Sequence, residues 1–451
     1  LSAPNNTHAK KNKEKNTKKN QNKKLAQSFS TWQKLLTFLE DSNMSLKVKS
    51  FIAKNGERFT QIYDTDFPGF PLFHPTLYCA LELRNGIKHK TQKTRMYVIK
   101  KIIEWSRGMQ IVIDTRFERL HFLTKAECRS LVNYLALKKN SKNGDTICNS
   151  KINEAILVAA KYLHWLAYVI CGVYLSDSTK DLISLMETEI LRQKRKKGSS
   201  AAASRKIVAK KLVERIETEL KLIFTNSLFS IKKNAVSEIH FRNIICLQIL
   251  YETGMRLGEL LSLQLSSFDN GTGGNEPSLS VIRSHDSPND DRVDQPTPKT
   301  LERTLAISED LSNKITYYLD SVRQHIPNVG FASEDFIFVN HIRGRRQGKA
   351  VQYSAFENSI ARLKVKNKNL RGMHPHLLRH HWNYLFSLEA EKLGYAEEKE
   401  RATREYCMGW ADNSAQSARY NLRKIQEDAM VIGRKIANDT KRSGLQKIAT
   451  T

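Results

Sequence analysis

Apolar positions three and four residues apart recur along much of this chain, and they predict helices. The stretch Phe29–Phe51 carries Trp32, Leu35, Leu36 and Leu39 at helical spacing, and the same spacing marks Thr91–Trp105, Thr124–Leu137 and Asn153–Tyr174. After the first of these, Asp66-Phe-Pro-Gly-Phe-Pro71 is a Gly/Pro breaker that ends the first segment. A different pattern follows residue 270. Leu279–Arg283, Arg303–Ile307 and Asp335–Val339 read as short strands around a polar segment rich in Asp and Pro, with helices resuming near Ser354. There is no internal repeat. The pattern predicts a mainly α protein with a small β-sheet.

One run needs a separate test. Ala155–Leu175 is apolar except for Lys161 and His164, whereas a spanning helix needs about 18 or more apolar residues without a lysine in lipid. A buried core helix explains the same run, so no membrane partner is expected.

Composition sharpens the partner. The chain has 451 residues, enough for two or three domains with real cores, and 74 Lys+Arg against 46 Asp+Glu give a net charge of +28. Such an excess repels itself unless a polyanion neutralises it, which points to nucleic acid first and an anionic membrane surface second. Cys79, Cys128, Cys148, Cys171, Cys246 and Cys407 are scattered, with no CxxC pair, as expected of reduced thiols in the cytoplasm. Leu1–Lys24 is polar and lysine-rich, without the apolar core of a secretory signal. Asn5–Lys24 is too polar to bury a core, and reads either as a solvated tail or as a basic arm lying along phosphates.

The expected organisation is a basic tail and amino-terminal segment over 1–71, a helical domain over 72–190, a basic linker over 191–205, a second domain that is mostly helical with a small sheet over 206–437 and a tail over 438–451. Lys88, Lys90, Lys93, Arg95, Lys100 and Lys101 are interleaved on the first helices of the helical domain, as a phosphate-facing stripe or as a solvated face.

Three motifs carry chemistry. In Tyr251-Glu-Thr-Gly-Met-Arg-Leu-Gly-Glu-Leu260, Gly254 stops one helix with positive φ and a new helix starts near Leu257, so Arg256 is held at a turn. In His374-Pro-His-Leu-Leu-Arg-His-His-Trp382, His376 and Arg379 lie one helical turn apart. Cys407-Met-Gly-Trp-Ala-Asp412 follows, and ten residues after Trp410 stands Tyr420. Singly, each reads as structural.

In order, they resemble the phage-integrase or tyrosine-recombinase family. Its first box is matched by Thr253, Gly254, Arg256, Glu259 and Leu260, its second by His376, Leu378, Arg379 and His380, and its third by Met408, Gly409 and Trp410 with Tyr420. Trp410 stands where His is commoner, and its spacing to Tyr420 is one residue longer than the usual form. The resemblance implies a helical DNA-binding domain and a mixed α/β catalytic domain closing as a clamp on duplex DNA. It implies a site-specific recombinase of a mobile element that needs neither metal nor ATP. Tyr420 would attack a phosphodiester to leave a 3′-phosphotyrosyl bond and a free 5′ hydroxyl. Arg256 and Arg379 would grip the nonbridging oxygens through forked N–H donors. Lys299, in Thr297-Pro-Lys-Thr-Leu-Glu-Arg303, would protonate the leaving oxygen as the family's hairpin lysine does, Lys349 being a weaker substitute and a solvated lysine the plain alternative. His376 would assist proton transfer. Trp410 would donate one hydrogen bond. Glu259 would brace the Arg256 turn, with His380 also in a supporting place.

The same resemblance implies a homotetramer on paired double-stranded sites, accessory DNA-bending proteins as possible partners, and a cytoplasmic, nucleoid-associated location. Other readings are a metal-dependent nuclease built on the His374–His381 cluster, an inactive DNA-binding protein of the same fold, and a type IB topoisomerase. The nuclease lacks an evident third ligand. After Tyr420, the spacing of Ile425, Ala429, Ile432 and Ile436 predicts a helix with one apolar face, packed on its own domain or on a neighbouring subunit.

Overall fold

The computed structural model describes residues 46–66, 69–84, 87–138, 144–172, 175–196, 211–232, 237–283, 287–296, 300–414 and 429–438. Trp32, Leu35, Leu36 and Leu39, most of the basic linker, Lys299, Tyr420 and Ile425 lie outside them. The chain divides near residue 198 into two compact units.

The first unit opens with β1 (Leu46–Ile52) and β2 (Arg58–Asp64), paired in a two-stranded sheet. The helical reading that ran to Phe51 is corrected here. From Leu46 onward burial alternates, with Lys47, Lys49 and Phe51 exposed and Leu46, Val48, Ser50 and Ile52 turned inward, which is the period of a strand. There follow α1 (Phe73–Tyr78), running into a π turn at Cys79–Leu83, then α2 (His89–Gly108), α3 (Ile113–Glu118), α4 (Lys125–Ala136), α5 (Asn149–Cys171) and α6 (Asp177–Arg192). Local sequence explains the ends. Thr124 and Glu127 form a capping box at the start of α4, Glu127 N–H donating to Thr124 Oγ1 at 3.3 Å and Thr124 N–H to Glu127 Oε2 at 2.8 Å. α5 is long and apolar enough to cross a bilayer, but Ile152, Ile156, Leu163 and Leu166 are buried in the core of this unit beside Met96, Trp105 and Ile183.

The second unit contains α7 (Glu214–Lys232), α8 (Glu238–Thr253), α9 (Leu257–Leu260), β3 (Phe268–Asp269), β4 (Ser278–Val281), β5 (Arg303–Ala306), α10 (Glu309–Ser321), α11 (Tyr353–Lys366), α12 (Pro375–Lys392) and α13 (Glu397–Met408). Residues 429–438 are also helical. The sheet runs β3-β4-β5, antiparallel throughout, with Phe268 opposite Leu279 and Leu279 opposite Leu305. A strand over Asp335–Val339 does not form. Phe336 and Val339 each make a single bridge, to Gln264 and to Ala350, so no continuous ladder is available. The third strand is β3 instead.

α8 is the axis of this unit. Every residue from Phe241 to Leu250 is buried, so it lacks the one-sided pattern of a surface helix. It packs against α7, α10 and α12. The core around it includes Ile245, Leu250, Leu260, Leu279, Ile315, Phe356 and Leu378. Because α8 is gripped on all sides, the turn at its end is fixed in place.

Candidate active site

The first motif is built by that turn. Gly254 caps α8 in the left-handed conformation at φ 62°, and a Cβ there would lie 2.8 Å from the Trp382 ring. Trp382 itself donates from Nε1 to the Glu252 carbonyl at 2.7 Å. Glycine is therefore required both for the backbone angle and for the approach of α12. Arg256 stands in extended conformation just before α9, its side chain about a third exposed. It is tied twice to Glu259: its N–H donates to Oε2 at 3.0 Å and its Nη1 to Oε1 at 3.1 Å.

Glu259 is the buried centre of the site, only 1% exposed. Besides Arg256 it accepts from Thr300 Oγ1 at 2.8 Å and from Arg303 Nη2 at 2.7 Å. Burial pushes its carboxyl up, but the charges of Arg303 and Arg379 and the hydrogen bonds to it prevail and hold it down at about 2. It is an anion at any pH near neutrality.

The second motif lies on α12. His374 caps that helix, its Nδ1 accepting from Leu377 N–H at 3.1 Å. Arg379 is buried and donates from Nη1 to the Gly254 carbonyl at 2.8 Å and from Nη2 to the Met408 carbonyl at 3.2 Å. Its guanidinium carbon lies 5.5 Å from the centre of the Trp410 ring. His376 is exposed in the first turn of α12, and its ring meets that of His380 edge to face at 4.4 Å.

The third motif closes α13. Gly409 caps it at φ 61°, and a Cβ there would stand 2.7 Å from Arg303 Nη1 and from Thr300 Cβ. A helix end leaves its last carbonyls without partners in the helix. Here each finds a donor from elsewhere: Cys407 O from Arg303 Nε at 2.7 Å, Met408 O from Arg379, and Gly409 O from Leu301 N–H at 2.9 Å. Trp410 is buried against Met408, Trp382 and Cys407. Beyond it, Glu405 accepts from the N–H groups of Asn413 at 3.2 Å and Ser414 at 3.0 Å, fixing the chain as it leaves the motif.

The structure thus brings Arg256, Glu259, Arg379 and Trp410 into one connected cluster, with His376 and His380 on the helix that carries Arg379. Lys299 and Tyr420 lie outside the described residues, one position before Thr300 and six after Ser414. Lys349 is exposed, its backbone paired with Asn340 and Arg346. Arg303 and Thr300 were not singled out from the sequence. An arginine in a short strand reads as solvated, and no local signal marked these two.

The six basic residues of the first unit do not form one stripe. On α2, Lys90, Lys93, Lys100 and Lys101 fall on one side and Arg95 on the other, while Lys88 stands in extended conformation just before the helix. Lys101 turns inward, its Nζ donating to the carbonyls of Leu137 at 2.8 Å and Leu135 at 3.4 Å, and burial lowers its pKa. Lys100 pairs with Glu104 at 3.2 Å. Among the described residues, no group of three or more His, Cys, Asp or Glu side chains is gathered for a metal.

Residues 224–386 match the model of the phage integrase family, which takes in the first two motifs and ends before the third. No curated protein matches the chain. Among solved structures, the chain is similar to the XerH site-specific recombinase bound to palindromic difH substrate in a post-cleavage complex, at 16% identity and TM-score 0.41, over 80% of this chain and 94% of that one. It is also similar to residues 82–397 of the Tn1549 transposon integrase in complex with circular intermediate DNA, at 15% identity and TM-score 0.38, over 78% and 100%. A third similarity is to the XerA recombinase, at 17% identity and TM-score 0.31, over 77% and 92%.

Proposed function

We propose that this chain, whose residues 224–386 match the model of the phage integrase family, is a DNA breaking and rejoining enzyme, a site-specific recombinase of a mobile element that acts through a phosphotyrosine at Tyr420. The observation that carries the reading is the joining of Arg256, Arg379 and Trp410 through Glu259, Gly254 and the end of α13. Two guanidinium groups on one rigid frame suit the dispersed charge of a phosphodiester in displacement.

In the proposed reaction the Tyr420 phenol gives its proton to His376 and its oxygen bonds to phosphorus, while the bond to the 5′ oxygen breaks. A phenol has an ordinary pKa of about 10, so its anion needs cations nearby to form at neutral pH. Lys299 gives the leaving oxygen its proton and His376 assists. The 3′-phosphotyrosyl bond keeps the phosphodiester's energy, and attack by a second 5′ hydroxyl reverses the step on a new strand through a Holliday junction. Neither ATP nor a divalent metal enters the balance.

Binding is to double-stranded recombination sites, with Lys90 and Lys93, which share a face of α2, as phosphate contacts of the first unit and Lys88, Arg95, Lys100 and Lys101 in lesser roles. We place the protein in the cytoplasm with the nucleoid, as a homotetramer on paired sites, aided by DNA-bending proteins. Met430, Val431, Ile432 and Ile436 are exposed on the 429–438 helix, an apolar surface that suits docking on a neighbouring subunit. Deletion after Lys424 should then abolish assembly on paired sites, and unchanged assembly would remove the idea.

The decisive experiment is to incubate the chain with nicked duplexes of its selected site in EDTA and look for a denaturation-resistant adduct. The reading expects an adduct that Tyr420→Phe removes. No adduct on a bound site would favour a DNA-binding protein without cleavage, and an adduct surviving Tyr420→Phe would overturn the assignment.

A further inference from the structure

We infer that Arg303 is a positioning residue for cleavage, setting the phosphate grip of Arg256 through Glu259 while holding the third motif through the Cys407 carbonyl. The inference rests on the strand-exchange reading and extends it to a residue in β5 that, among the described residues, meets none of the reacting groups.

Arg303 has a fully buried side chain. Its N–H donors go to three segments of chain: Nε to Cys407 O at 2.7 Å, Nη2 to Glu259 Oε2 at 2.7 Å, and Nη1 to Thr300 Oγ1 at 3.1 Å, with Leu301 O at 3.4 Å. A guanidinium is planar with donors on a rigid fork, so fixing three partners fixes their mutual arrangement. Lysine, with one ammonium on a flexible stem, does not span them. Glu259 receives Arg303 on the carboxylate whose other contacts are the N–H and Nη1 of Arg256 and the Thr300 hydroxyl. The orientation of Arg256 therefore depends on that of Glu259, which depends on Arg303. The bare Cα of Gly409 admits the guanidinium, since a Cβ there would stand 2.7 Å from Arg303 Nη1.

A simpler account makes Glu259–Arg303 a buried ion pair that serves only stability. Such pairs give little net stability over apolar replacements, because desolvation offsets their attraction. That account leaves unexplained why the carboxylate also holds the backbone N–H and Nη1 of Arg256.

The test uses the full chain and two versions of the selected nicked duplex, one with an ordinary scissile phosphate and one with a methylphosphonate there. A methylphosphonate lacks one nonbridging charge, so its cleavage depends less on a correctly placed arginine. Arg303→Lys keeps the buried charge. Its DNA affinity should stay close to the parent's and its melting temperature should fall, since a lysine leaves buried acceptors without donors, while adduct formation per folded molecule on the phosphate falls about 10- to 100-fold, the scale of a misplaced catalytic group. On the methylphosphonate the deficit should shrink to about threefold or less, as it should for Arg256→Ala, since both lesions weaken the same contact. An unchanged rate on the phosphate, or an equal loss on both duplexes, would overturn the inference. If Arg303→Lys does not fold, Thr300→Val removes one of the three anchors at little change in volume. It should show a smaller loss with the same dependence on the phosphate, and the same two outcomes would overturn the idea. Tyr420→Phe, run alongside, separates the two levels: an adduct in that variant refutes the cleavage reading itself, whatever Arg303 does.

Discussion

The two units bury different things. The first is mainly an apolar assembly: Met96, Trp105, Ile156, Leu163 and Ile183 fill its centre, its lysines mostly face water, and it buries few charges, among them Arg58, Asp64 and Glu189. The second buries Arg242, Glu259, Asp290, Arg292, Arg303, Lys314, Arg379 and Arg404 beside its apolar core. Lys314 donates to Phe224 O at 2.7 Å and Gln248 Oε1 at 2.9 Å and pairs with Asp310, while Arg292 pairs with Asp290 at 2.8 Å and donates to Leu261 O at 2.8 Å and Val351 O at 3.0 Å. Charges are costly to bury, and each is accepted only with its partners in place. The difference teaches that the second unit is organised around fixed charge and the first around fixed volume.

That contrast breaks most sharply at Arg379. Arg379→Ala should lower the rate of adduct formation by about 100- to 1,000-fold, the scale seen when one preorganised donor to a developing anion is lost; a loss under tenfold would contradict its role. Next is Arg292→Met, which strands the buried Asp290 carboxylate and should cost about 3–5 kcal/mol in urea unfolding of the second unit. In the first unit, Ile156→Ala opens a void in α5 and should cost about 2–5 kcal/mol, while the adduct rate per folded molecule stays unchanged. A changed rate in that variant would show that the two units are not separable in this way.

Acid sharpens the comparison further. Burial and then the charge of Arg242 hold His341 at about 3, far below its ordinary 6.5. The folded form thus keeps His341 neutral where the unfolded chain takes up a proton. Its contribution is fully present above the ordinary value and is lost as pH falls through the interval below it. The urea midpoint of the second unit should drop between about pH 7 and about pH 5, and His341→Gln should flatten that slope. The smallest effect belongs to the surface pair Lys151–Glu154, at 2.7 Å with both partners well exposed. Lys151→Ala should change stability by about 1 kcal/mol or less.

Much of this was legible in the sequence where the cause is local. The spacing in Thr124–Leu137 predicts α4 because its face and its Thr124/Glu127 cap lie within one short stretch. Gly254 announces the stop that places Arg256, since few residues other than glycine adopt that angle. The order of the motifs carries the family. What was not legible depends on partners distant in sequence. Arg303 looks like a solvated strand residue until Glu259 and Cys407 meet it from 44 and 104 residues away. Lys101 looks like its neighbour Lys100 until the carbonyls of α4 claim it. The Asp335–Val339 run has strand composition, but its bridges go to two separate segments. β1 was missed because the helical spacing before it was carried six residues too far.

The three carbonyls that end α13 also govern when the site comes into being. Their donors reside in Leu301, Arg303 and Arg379, so the contact closes loops of very different length. Long loops are slow to close, and pairings of this kind form late in folding. During synthesis, Arg303 and Arg379 emerge before the carbonyls they serve. The Leu301 amide reports this coupling: in native-state hydrogen exchange it should open together with the core amides of α8, whereas faster, independent exchange would mean that the end of α13 detaches by itself. A chain that joins its three motifs only as α13 docks cannot hold Arg256, Arg379 and Trp410 together while its synthesis is still short of residue 410.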